Sequence, residues 1–203
     1  MACRPAILPP GAPPRPAGRR PALLLDRDGV INVDHGYVSR PEDVTFVDGV
    51  FALCQAAAAR GWPIVVVTNQ AGIGRGYYGE GDFERLSRWM MAELAARGAP
   101  LAAVYWCPHH AAAGVGEYRL DCPSRKPGPG MLLAARDELG LDLAASALVG
   151  DKVSDLVAGR AAGVGRLVLL AAPGEDEAAR APAGAEVVSS LGEARERLFG
   201  RDG

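Results

Sequence analysis

Two carboxylates one residue apart, Asp26 and Asp28, stand at the end of the apolar run Leu23-Leu24-Leu25 and are followed by Gly29. A short aliphatic run that stops at a turn signal reads as a strand buried in a parallel sheet. Ligands of open α/β sheets bind just beyond the carboxyl ends of such strands. Concentrating negative charge there is costly unless a cation shares the site. The same pair of acids also fits a helix cap with a surface turn, so the rest of the chain has to decide. Two further strand signals end in polar groups: Ile64-Val65-Val66-Val67 runs into Thr68-Asn69-Gln70, and residues 146–150 run into Asp151-Lys152. Strand ends of a parallel sheet share one edge, so acids far apart in sequence meet there. Asp26, Asp28 and Asp151 offer the hard oxygen ligands that Mg2+ takes while keeping positions open for a phosphate. Arg125-Lys126-Pro127 places two cations at the start of a helix pattern. A lysine beside the acids would screen charge on a phosphoryl group, although an Arg-Lys pair is also an ordinary solvated surface feature.

The elements that must position these groups alternate. After a strand at 22–26 comes a loop to Asp48, then a helical pattern at 49–60 closed by Gly61, then the strand that ends at Thr68. An amphipathic helix at about 82–97 stops at Gly98-Ala99-Pro100, and a strand at 102–106 leads into an irregular Cys/His segment, 107–127. A helix at 129–139, a strand at 146–150, a helix at 154–162 and a strand at 166–170 follow, and the chain closes with a strand near 186–189 and a helix at 191–199. Strands separated by helices imply right-handed crossovers, hence an α/β three-layer sandwich with a mostly parallel, doubly wound sheet. Residues 1–20, rich in proline and arginine, read as a flexible extension ahead of one domain at 21–203.

With 203 residues, of which 49% are apolar and 23% charged, the chain can bury one sizeable core. A formal charge of −2 leaves no basic excess for a nucleic-acid backbone, so a small molecule is the expected partner. No apolar run is long enough to span a bilayer and no secretory signal is apparent, which points to a cytoplasmic protein. A monomer is expected. Cysteines 3, 54, 107 and 122 are too scattered for a disulfide framework.

Taken together, Asp26-x-Asp28-Gly29, Thr68, Lys126 and Gly150-Asp151-x-x-x-Asp155 resemble the four ordered motifs of the haloacid dehalogenase (HAD) superfamily of phosphohydrolases. Longer strings go further: Asn32-Val33-Asp34-His35-Gly36-Tyr37-Val38, Val67-Thr68-Asn69-Gln70, Cys107-Pro108-His109-His110 and Arg125-Lys126-Pro127-x-Pro129-Gly130-Met131 resemble the D-glycero-D-manno-heptose-1,7-bisphosphate 7-phosphatases. The resemblance implies a HAD-like, Rossmannoid fold and Mg2+-dependent hydrolysis of a phosphomonoester on a small phosphorylated sugar. In that scheme Asp26 is the nucleophile and Asp28 the acid and base. Mg2+ lies on Asp26, the Asp28 backbone carbonyl and Asp151, while Thr68, Lys126 and Arg125 hold phosphoryl oxygens. Asp34, His35, Gly36, Tyr37, Asn69, Gln70 and Lys152 match substrate contacts, and Asp155 matches either a supporting role or a helix-start charge. The gaps between motifs hold no large cap domain.

Close relatives, the histidinol-phosphate phosphatases, share much of this pattern and are the alternative enzyme. A receiver-like phospho-aspartate signalling domain is the alternative of another class, but it lacks the second acid two residues after the nucleophile. The Cys/His segment departs from the family. Relatives carry Cys-x-His and then Cys-x-Cys, a structural Zn2+ site. Here Cys107, His109 and Cys122 are present and Ser124 stands at the fourth ligand position. Either a weakened Zn2+ site or a loop held by packing alone fits these residues.

Overall fold

The computed structural model describes residues 6–11, 18–171 and 176–200. Among the described residues six strands form one sheet: β1 (Leu23–Leu25), β2 (Ile64–Asn69), β3 (Leu101–Cys107), β4 (Ala147–Gly150), β5 (Arg166–Leu170) and β6 (Glu186–Val188). Their order is β3-β2-β1-β4-β5-β6, and every pairing is parallel. The longer helices are α1 (Val50–Ala59), α3 (Glu80–Ala96), α4 (Gly130–Leu139), α5 (Val153–Ala162) and α7 (Leu191–Phe199); α2 (Ala71–Gly74) and α6 (Asp176–Ala179) are single turns.

The central positions of the strands are apolar on both sides because both faces of the sheet are covered, and the polar residues Thr68, Asn69, Arg166 and Glu186 stand at strand ends. Leu23, Leu25, Ile64 and Val66 pack against α1, α3 and α7 through residues such as Leu53, Phe83 and Ala194. Leu24, Val65, Val67 and Leu148 face the other way, onto Met131, Leu132 and Leu156 of α4 and α5. The period-two alternation of a strand thus divides one hydrophobic run between two cores. Strand order reverses direction between β1 and β4, and that is where a crevice opens at the carboxyl edge of a doubly wound sheet. Asp26 follows β1 and Asp151 follows β4, so the two acids flank the crevice.

The expected elements are present, with boundaries moved by a residue or two. β2 keeps pairing with β3 through Thr68 and Asn69 rather than stopping at Val67. The turns α2 and α6 are too short to leave a periodic signal. Composition alone places residues 6–11 outside the fold, yet Ile7 exchanges backbone hydrogen bonds of 3.0 and 2.9 Å with Val104 on the edge strand β3, and its side chain is buried. An edge strand offers unpaired donors and acceptors to such a segment, and Ile7 supplies the apolar side chain. The rest of that extension, 1–5 and 12–17, lies outside the described residues. Leu24 is the most direct probe of the central packing: Leu24→Ala is expected to cost about 2–5 kcal/mol, read as a lower denaturant midpoint at unchanged slope.

Candidate active site

Lys126 enters from the turn that precedes α4 and ends in a buried position between three oxygens. Its Nζ lies 2.7 Å from Asp155 Oδ1 and 2.9 Å from Asp26 Oδ1, and donates to the Val67 carbonyl at 2.8 Å. Burial works to lower the pKa of this ammonium, but the Asp155 and Asp26 carboxylates outweigh it and the net shift is upward. Its backbone is clamped as well: Asn69 Nδ2 donates to the Lys126 carbonyl and Lys126 N–H donates to Asn69 Oδ1, both at 3.0 Å. Asn69, expected to touch substrate, is thereby committed to holding the lysine. Asp155 sits in the first turn of α5, where Oδ2 accepts from the Lys152 N–H at 3.0 Å as a helix cap. It therefore fills both of the roles that its sequence position allowed.

Asp28 is held from several sides. Arg27, itself buried, donates through Nε and Nη2 to the carboxylate at 2.8–3.1 Å, and Nη2 also reaches the Val38 carbonyl. Asn32 Nδ2 and Gln70 Nε2 add donors at 3.0 and 3.2 Å. Gln70 lines the cavity but is buried, and its amide bonds Asp28, Thr68 Oγ1 at 2.8 Å and Tyr78 at 2.6 Å. Sequence pattern did not single out Arg27 or Tyr78. An arginine between two acids and a tyrosine after a glycine-rich turn carry no spacing signal of their own.

The acids form a tight cluster. Ligand oxygens of Asp26, Asp151 and Asp155 all lie within 4.8 Å of one another. Burial, the largest cause, raises the Asp26 pKa to about 6 and the Asp151 pKa to about 7, with neighbouring carboxylates adding to both. Asp151 Oδ1 is buried and has no hydrogen-bond partner among the described residues. Three clustered carboxylates facing one buried ammonium leave an excess of negative charge and an orphaned oxygen, and these residues fit a divalent cation that prefers oxygen ligands. Gly29 makes the cluster possible, since at φ +86° an added Cβ would lie 2.3 Å from Asp151 Oδ2. Asp28 contributes no carboxylate oxygen to this group. Its side chain belongs to Arg27, which leaves only its backbone for a metal.

A cavity of about 690 Å3 gathers Asp26, Asp28, Asp34, Gly36, Tyr37, Thr68, Asn69, Gln70, Arg125, Lys126 and Lys152, together with Tyr78 and Asp155. Lys152 Nζ bridges Asp34 at 3.3 Å and Asp151 at 3.5 Å on the rim. Tyr37 stacks edge-on against Tyr77 and lies under the Arg75 guanidinium at 5.9 Å. His35 is not brought to the cavity; it is exposed, with Nε2 3.3 Å from Thr45 Oγ1. Behind the cavity, Cys107, His109 and Cys122 are buried with their ligand atoms within 4.8 Å of one another. Burial, the main cause, pushes the Cys107 thiol up to about 12. Ser124 is buried too, and Arg125 Nη1 donates to the His109 carbonyl at 3.0 Å. The Cys/His segment thus supports one of the cations at the cavity.

A switch-point acid cluster, a buried lysine and a following strand that ends in threonine define a phosphohydrolase of the HAD type. A HAD-hydrolase-like family model matches residues 123–194. The D-glycero-alpha-D-manno-heptose-1,7-bisphosphate 7-phosphatase of Burkholderia mallei is 57% identical over 149 residues, 73% of this chain and 79% of that protein. The D-glycero-beta-D-manno-heptose-1,7-bisphosphate 7-phosphatase of Escherichia coli (strain K12) is 51% identical over 150 residues, 74% of this chain and 78% of that protein. Among solved structures, the D,D-heptose 1,7-bisphosphate phosphatase of B. bronchiseptica, complexed with magnesium and phosphate, superposes with a TM-score of 0.76 at 30% identity and covers 88% of this chain and 97% of its own. The chain belongs to the heptose-1,7-bisphosphate 7-phosphatase family and is a phosphatase.

The raised acid pKa values carry a consequence for cation binding. Below about pH 7 a divalent cation must displace protons from Asp151 and, below about 6, from Asp26. Mg2+ affinity is expected to fall as pH drops through this window. Calorimetric titrations in buffers of different ionisation heat should show proton release at pH 6.5 and almost none at pH 8.5; no release at pH 6.5 would contradict the cluster's electrostatics.

Proposed function

We propose that this protein removes the 7-phosphate of D-glycero-D-manno-heptose 1,7-bisphosphate by way of a phosphorylated Asp26. The observation that carries the reading is the Asp26–Lys126–Asp155 arrangement at the sheet's switch point. Asp26 Oδ1 accepts from the Arg27 N–H at 2.7 Å and pairs with Lys126, leaving Oδ2 to attack phosphorus. As the Oδ2–P bond forms, the bond from phosphorus to the sugar oxygen breaks, and Asp28 delivers a proton to that oxygen. Asp28 then takes a proton from a water that attacks the acyl phosphate, releasing inorganic phosphate and regenerating the Asp26 carboxylate. Asp26, the Asp28 backbone carbonyl and Asp151 would hold Mg2+, which would supply charge neutralisation for the phosphoryl oxygens. Lys126 and Thr68 hold the same oxygens, so most of the catalysis is positioning and charge compensation.

The rim favours a bisphosphate over histidinol phosphate. Arg125 is close enough to Arg75 for the two charges to oppose each other, and both weaken the positive form of His110 after burial has done so. Of these groups Arg125 lines the cavity, as does Lys152, and two such cations suit a second anionic group on the substrate, whereas histidinol phosphate carries an amine. A phosphate-release panel with both anomers of the heptose bisphosphate, histidinol phosphate and simple sugar phosphates should give the highest kcat/KM on a heptose bisphosphate. Asp26→Asn should lower that activity by on the order of a thousandfold or more. The highest value on histidinol phosphate would overturn the substrate, and surviving activity in the variant would overturn the nucleophile.

The buried Cys107, His109 and Cys122 support a second proposal, that the segment behind Arg125 binds Zn2+ with three protein ligands and a weak fourth at Ser124. Losing one thiolate weakens such a site. Metal analysis of protein purified without chelator should find one zinc per chain, and Ser124→Cys should hold it against a chelator that strips the natural protein. Zinc-free protein in both cases would show that packing alone holds the loop.

A further inference from the structure

Tyr78 has no place in the catalytic scheme, yet it is tied to the centre of the site. Its hydroxyl donates to Gln70 Oε1 at 2.6 Å, and Gln70 Nε2 in turn donates to Asp28 Oδ2 at 3.2 Å and to Thr68 Oγ1 at 2.8 Å. The directions of these bonds follow from what each group can do. The Gln70 amide turns its oxygen toward the Tyr78 hydroxyl and its NH2 toward Asp28 Oδ2 and Thr68 Oγ1. Burial pushes the Tyr78 phenol up to about 12, so it keeps its proton, and the Arg27 side chain beside its oxygen can only donate to it. The phenolic hydrogen is therefore left for Gln70. With both amide hydrogens used, Thr68 Oγ1 is an acceptor toward Gln70, and its own hydroxyl hydrogen is free to point into the cavity.

The chain provides room for this contact. An alanine methyl at Gly72 would lie 2.3 Å from Tyr78 Cε1 and 2.9 Å from the phenolic oxygen. The glycine in the single turn α2 thus lets the tyrosine ring come close to the backbone and reach the glutamine.

We infer that Tyr78 is a positioning residue: acting through Gln70, it fixes the Thr68 hydroxyl as a hydrogen-bond donor to the phosphoryl group and holds the Asp28 carboxylate beside it. Without the phenolic hydrogen the amide is free to turn over. Thr68 then donates to Gln70 Oε1 and presents lone pairs to an anionic phosphate, while Asp28 faces a carbonyl oxygen. The inference rests on the assignment of Thr68 to the phosphoryl oxygens.

The test uses competitive inhibition by inorganic phosphate together with kcat/KM on the preferred sugar phosphate, for the Mg2+-loaded full chain. Tyr78→Phe keeps the ring against Gly72 and removes the donor. It is expected to raise the inhibition constant for phosphate and lower kcat/KM, each about tenfold. In a Gln70→Ala background the same change should have no further effect on either quantity, a coupling that a merely structural loss would not produce. An unchanged phosphate inhibition constant in Tyr78→Phe, or an equal loss in both backgrounds, would overturn the inference. Should Tyr78→Phe fail to fold, Gln70→Ala with Tyr78 intact must itself raise the inhibition constant at least tenfold, and its failure to do so would equally overturn it. Thr68→Val separates the two levels. If it leaves phosphate inhibition unchanged, the assignment of Thr68 is wrong; if it weakens inhibition and Tyr78→Phe does not, only the role of Tyr78 falls.

Discussion

The site depends on one buried ammonium. Lys126 sits among Asp26, Asp155 and the Val67 carbonyl, and these three acceptors come from the end of β1, the start of α5 and the body of β2. Desolvating a lysine is expensive, and the cost is offset only if good partners are in place. Each of these partners comes from a different element, so the lysine ties three elements to a common point. It also sets the sign of the cluster. Lys126 and Lys152 bring two positive charges to the four carboxylates of Asp26, Asp34, Asp151 and Asp155, which leaves the site a demand for a further cation.

Around this fixed centre the structure separates chemistry from selection. The reacting groups are buried at the sheet edge, supported by Asn69 on the lysine backbone and by Arg27 on Asp28. Among the described residues no cap domain covers them, and the cavity is edged by Asp34 and Lys152, paired with each other, and by Tyr37, which packs against Tyr77 and Arg75. Tyr37 adopts a left-handed backbone conformation, φ 55°, uncommon for a side chain of its size. The Cys/His segment joins the two levels, since the His109 carbonyl orients Arg125 at the cavity.

Much of the fold was legible because both faces of the sheet are buried and each strand is a plain apolar run. Asp26 and Asp151 could be located because such runs end abruptly at them, and strand order then brings them together. Asp155 was only half legible: an acid in the first turn of a helix is ordinary, and nothing local reveals that its second oxygen meets Lys126. Gln70 and Asn69 were read as substrate contacts, but both turn inward, Asn69 onto a backbone 57 positions away and Gln70 onto Asp28 and Thr68. His35 was misplaced for the opposite reason, because its loop carries neighbours to the cavity while its ring turns to Thr45. These departures are side-chain directions rather than element positions, and direction is set by long-range partners that a local pattern does not contain.

The central claim is that Asp26, activated within the Lys126 cluster, becomes phosphorylated during turnover. Rapid quenching of the enzyme with its sugar phosphate, followed by borohydride reduction and peptide mass spectrometry, tests it directly. A phosphorylated Asp26 is reduced to homoserine at position 26, and that is the predicted product. Homoserine at another aspartate, or none under conditions where phosphate is released in a burst, would contradict the account.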